Sequence, residues 1–220
     1  MDRIIMITKE KNFLEEEKIN SLIHGIGSLL SIIGVYFLIS YANNSGDSYK
    51  IIGCSIYGFT LILLYLASTF FHGAQDTKIK QILEKVDHSC VFLLIAGTFT
   101  PVFMIVLHKS MGWKMFIVIW LMALIGIIYK IFFLGRFEKT SLLFYLIMGW
   151  TSVVSIKEII ENTSFIGVLL FFIGGLFYTF GTIFYALDKR PYFHQIWHVM
   201  VLFGSISHYF MILNYVMPLK

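Results

Sequence analysis

Apolar residues fall into seven long runs along the chain, separated by short polar breaks. The runs cover approximately residues 21–41, 51–71, 86–107, 113–133, 141–156, 165–187 and 196–217. Between them stand clusters such as Asn43-Asn44-Ser45-Gly46-Asp47, Lys78-Ile79-Lys80 and Asp188-Lys189-Arg190-Pro191. A helix rises about 1.5 Å per residue, so about 20 apolar residues cross a hydrocarbon core. In lipid every backbone amide must find its partner within its own segment, which makes each run a helix. The fifth run is the shortest. The pattern predicts an all-α integral membrane protein, a seven-transmembrane helix bundle. A short tail over residues 1–20 precedes a single transmembrane domain over 21–220. The connections are short, so sequential helices should be antiparallel neighbours.

Composition sharpens this picture. The chain has 220 residues, 58% hydrophobic and only 14% charged, where soluble domains carry about a quarter charged residues. Such an excess has no place on a water-facing surface. The first twenty residues are polar and charged, and the run after them is too long for a signal-peptide core, so it is expected to remain as an anchor. Cys54 and Cys90 lie inside apolar runs and are expected to pack as small hydrophobes. The net charge of +4 is spread along the chain, which argues against nucleic acid as a partner. Membrane lipids are the expected partners.

The basic residues also orient the bundle. With the N-terminus in the cytoplasm, the tail and inner loops hold 12 Lys and Arg residues, against five on the other side. That bias predicts a cytoplasmic N-terminus and an outer C-terminus.

Ionisable groups at membrane depth are costly and usually functional. This topology gathers several of them at one level. His72 ends the second helix, Asp87 and His88 begin the third, His194 and His198 begin the seventh, and His24 lies one turn into the first. His194 and His198, four apart, project from one helix face, and His72 can supply a third nitrogen from another helix. Three histidines with one open position form the arrangement of catalytic zinc. Asp87 is placed to act on a water there or to orient an imidazole. Ser68, one turn before His72, can bond a water or a substrate oxygen. Glu17, Asn20 and His24 form a polar stripe on the first helix. Two readings of it stay open, a capped interfacial entry and hydrogen-bonded support of the metal layer. His88 points about 100° away from Asp87 and is expected to pack at the interface. His108 is expected to be solvated, and His208, mid-helix, to make an intramembrane hydrogen bond.

The ordered pattern Glu17-x-x-Asn20-x-x-x-His24, Ser68-x-x-x-His72, Asp87-His88 with Gly97-Thr98-Phe99-Thr100-Pro101, and His194-x-x-x-His198 resembles the hemolysin III proteins. These are the bacterial branch of the progestin and adipoQ receptor family. The resemblance implies a cytoplasmic-side Zn2+ on His72, His194 and His198, with Asp87 beside its water and Ser68 in the same motif. It also implies residence in a bacterial plasma membrane, and eukaryotic relatives and alkaline ceramidases suggest lipid amide hydrolysis. Three functions follow as expectations: a zinc-dependent intramembrane hydrolase of lipid amides or esters, a membrane-damaging or pore-forming cytolysin, and a receptor-like sensor with structural zinc. The gathering of polar groups in one layer favours the hydrolase over a pore, which needs polar lining along whole helices.

Overall fold

The computed structural model describes residues 2–136 and 138–219, with side chains from residue 14 onward. Seven helical segments are long and apolar enough to cross a membrane, and no strand occurs among the described residues. They are α1 (Asp2–Ser45), α2 (Ser48–Gly73), α3 (Thr77–Pro101), α4 (Gly112–Phe133), the pair α5 (Glu138–Gly149) and α6 (Ile156–Asn162), α7 (Phe165–Ala186) and α8 (Phe193–Met211). The chain is a multi-pass membrane protein. α1 runs through the predicted tail, and its helical hydrogen bonding continues to Asp2.

Helix starts follow local chemistry. The Asp47 carboxylate accepts from the amides of Tyr49 and Lys50, and Asp76 accepts from those of Lys78 and Ile79. Each thereby satisfies donors that a helix leaves unpaired at its N-terminus. Ser164 does the same for α7 through the amide of Gly167.

The predicted fifth helix is interrupted. A turn of tighter 3-10 helix over Thr151–Ser155 joins α5 to α6, and the span extends beyond residues 141–156 to Glu138–Asn162. Two hydrogen bonds anchor it. Tyr145 donates to the backbone carbonyl of His88 on α3 at 2.9 Å, and Trp150 Nε1 donates to Thr179 Oγ1 on α7 at 3.1 Å.

α3 is the most enclosed span, with 67% of its apolar window buried against 22% for α4. Glycine permits its close approach to α2: a Cβ at Gly97 would run into the side chain of Thr60. After Pro101 the helix widens into a π-turn over Val102–Val106, closed by the Leu107 amide on the Val102 carbonyl at 3.2 Å. A second π-turn, Ile212–Val216, ends α8.

At the corner between α4 and α5, Lys130 is fully buried and donates to Glu138 at 2.5 Å. Glu138 also accepts from the amide of Gly135, whose φ of 75° suits glycine. Glu138 is 39% exposed while Lys130 has no solvent contact, so the two partners are not equivalent. Glu138→Gln strands a buried ammonium and should cost about 3 kcal/mol. Lys130→Met leaves a carboxylate that water can reach and should cost clearly less. Thermal melts of the two variants in detergent would show the order, and equal losses would contradict it.

Candidate metal centre

Two helices bring three histidines together. His72 comes from the last turn of α2, and His194 and His198 come from the first two turns of α8. Tyr192, with φ at 64°, turns the chain into α8 two residues before His194. One ligand atom from each of His72, His194 and His198 lies within 4.8 Å of the others. The ring centroids are 5.2 Å apart for His72 and His194, 4.8 Å for His72 and His198, and 4.6 Å for His194 and His198. His72 Nε2 and His198 Nδ1 are buried and no protein group among the described residues bonds them. Buried nitrogens without partners are expensive, and a shared cation satisfies them. The donor set therefore fits a metal ion.

Glu17 decides which nitrogen of His72 faces the cluster. Its Oε1 lies 3.1 Å from His72 Nδ1. A carboxylate only accepts, so Nδ1 carries the proton and Nε2 keeps its lone pair. The other Glu17 oxygen takes a hydrogen bond from Lys80, so one carboxylate ties α1, α2 and α3 together. Removing such an orienting partner typically weakens metal binding about 10–100-fold. Glu17→Gln should show that loss in a competitive zinc titration against a chelating dye. Unchanged affinity would deny Glu17 the orienting role.

The other α1 candidates also join the layer. His24 stacks on His198, with centroids 3.7 Å apart and planes 11° from parallel, and meets the edge of Tyr65 at 5.1 Å. Asn20 is buried beside this stack, one turn before His24 on the same helix face. Gln195, between the two α8 histidines, donates to the carbonyl of Glu16 at 3.3 Å, which holds α1 against α8.

A cavity of ≈ 110 Å³ adjoins the cluster. His24, Ser68, Asp87, His194 and His198 all line it. Ser68 is buried on α2, and Asp87 on α3 is half-buried with Ser68 as its hydroxyl neighbour. Most of the remaining wall is apolar and comes from α3, α7, α8 and the interrupted fifth span.

His88 differs from its expectation. It lines the same cavity as Asp87 rather than packing at the interface, because the cavity subtends a wide arc of α3. Its Nδ1 sits 2.7 Å from the Glu84 carbonyl and its Nε2 lies 3.1 Å from the Tyr185 hydroxyl. The carbonyl only accepts, so in the neutral ring the proton is on Nδ1 and Tyr185 donates to Nε2. That leaves the Tyr185 oxygen as an acceptor beside the cavity. His108 is half-buried against Tyr49, with centroids 4.0 Å apart, rather than solvated. His208 makes the expected intramembrane bond, to the Phe171 carbonyl at 3.1 Å.

Sequence comparison covers all of these positions. The profile of the haemolysin-III-related family matches residues 13–209. The chain belongs to this family. Among haemolysin-III-related proteins it is 42% identical to Hemolysin-3 of Bacillus cereus over 212 residues, 96% of this chain and 97% of that one. It is 43% identical to the Hemolysin-3 homolog of Bacillus subtilis (strain 168), over 92% of this chain and 95% of that one. The relationship reaches the human monocyte to macrophage differentiation factor at 28% identity, over 78% of this chain and 73% of that one. The haemolysin-III match runs from four residues before Glu17 to one residue after His208, and so takes in the whole cavity.

Sequence reasoning missed Lys80, Tyr145 and Tyr185 as parts of this environment. Tyr185 lies on α7 in an apolar run, where nothing in spacing distinguishes it from an interfacial aromatic.

Proposed function

We propose that this chain is a zinc-dependent intramembrane hydrolase of lipid amides or esters, with zinc on His72, His194 and His198 at the cytoplasmic face of a bacterial plasma membrane. One observation carries the reading: His194, His198, Asp87 and Ser68 line one cavity whose other walls are mostly apolar, and His72 lies against both histidines. Such a cavity suits an acyl chain with its carbonyl beside the histidines. Zinc, when bound, supplies a Lewis acid that polarises a carbonyl and acidifies water. The half-buried Asp87 takes a proton from the attacking water as its oxygen joins the carbonyl carbon. The same proton passes to the amine or alcohol as the acyl–nitrogen or acyl–oxygen bond breaks. Ser68 donates a hydrogen bond to a substrate oxygen, and Glu17 holds the His72 ring in its tautomer. The apolar wall keeps bulk water from the reacting carbonyl. The excess of basic residues on one side of the bundle supports the orientation.

The test is acyl release from N-acyl and O-acyl lipids by the purified chain in vesicles, with and without a zinc chelator. Release that the chelator stops and zinc restores supports the proposal. No release from either class by zinc-loaded protein would overturn it. The name Hemolysin-3 favours a second reading, direct membrane damage. Dye leakage from vesicles of an ether lipid, which offers no acyl bond, would support that reading instead.

A further inference from the structure

His208 lies ten residues beyond His198 on α8, about 15 Å along the helix, yet the same cavity reaches both. Three features fix its ring. Its Nε2 donates to the Phe171 carbonyl at 3.1 Å. Gly174 on α7 leaves room for it, since a Cβ there would strike the imidazole. Phe171 and Tyr178 flank it, with centroids 5.8 and 5.5 Å away. The bond at Nε2 makes Nδ1 of the neutral ring an acceptor and not a donor. Nδ1 is buried, the residue is 4% exposed, and no protein group among the described residues bonds this atom. An apolar side chain would fill the space without that cost. Other polar groups near this end are occupied: Tyr178 bonds Ser205 at 2.9 Å, and Thr98 donates to the Leu94 carbonyl at 2.7 Å.

We propose that the deep end of the cavity is a hydrogen-bond-accepting subsite, in which His208 Nδ1 receives a hydroxyl carried on the acyl chain of the ligand. This inference rests on the reading of the cavity as an acyl site. It assigns the preferred ligand class: chains hydroxylated far from the carbonyl. Phe99 and Phe171 line the same end of the cavity and grip the apolar part, so the hydroxyl contributes selectivity rather than most of the binding. Gly175 offers open space next to it.

The test is equilibrium binding, independent of turnover. Stearic acid and a series of its positional hydroxy isomers compete for a fluorescent fatty acid on the zinc-loaded, detergent-purified full chain. Wild type should prefer one distal isomer over stearate by about five- to tenfold, the worth of one net hydrogen bond. His208→Phe keeps the ring volume and should bind stearate as before while losing the preference. His208→Gln, which retains an acceptor, should keep part of it. Equal binding of all isomers by wild type, or an unchanged preference in His208→Phe, overturns the subsite and leaves the acyl cavity standing. Failure of every acid to bind overturns both.

Discussion

Replacing His194 and His198 together by alanine should empty the metal site. Wild-type protein purified in detergent should carry roughly one zinc ion per chain by elemental analysis, the stoichiometry of a three-histidine centre. The double variant should carry almost none. The two residues lie on one face of α8 and supply two of three donors, so His72 alone cannot retain the ion. Both imidazoles are replaced by smaller groups next to a cavity, so the fold should tolerate the change. A circular dichroism melt distinguishes loss of metal from loss of structure. Folded wild type that takes up no zinc even after metal is added back would remove the centre, and with it the hydrolase.

Asp87→Asn should separate chemistry from architecture. The amide has nearly the shape of the carboxylate but cannot take up a proton at neutral pH. Loss of a positioned general base typically costs about 10²–10⁴ in rate. Hydrolysis of the best substrate should fall by that factor while zinc content stays at the wild-type level. An unchanged rate would remove Asp87 from the mechanism. A parallel fall in zinc content would make it a metal-supporting group instead.

The spans were legible in the sequence because lipid imposes a strict length on apolar runs. Their ends were not. Helical hydrogen bonds continue past the hydrocarbon wherever the chain stays regular, as α1 does to Asp2. The break at Thr151–Ser155 has no proline to announce it. Gly149 and Trp150 directly precede it, and Trp150 is tied to α7 by its bond to Thr179.

The convergence of His72, His194 and His198 was legible for two reasons. The i, i+4 pair fixes a face, and counting spans fixes a level. The surroundings needed helix rotations, which no single sequence states. Glu17 reaches both His72 and Lys80 only because three helices turn those residues inward together. His88 was misplaced by an argument from angle alone. The cavity is lined by both Asp87 and His88 and so touches more of α3 than one face.

Glu17, His72 and Lys80 all lie in the first three spans, whereas His194 and His198 lie in the last. As the chain leaves the ribosome, an oriented single imidazole therefore waits through four further membrane insertions. When α8 arrives it must settle against α1, where His24 meets His198 and Gln195 meets Glu16. A metal held by the three histidines would then join the early part of the chain to the late part. Acquisition of such an ion would report that the last span is in place, because a product truncated before α8 lacks two of the three donors.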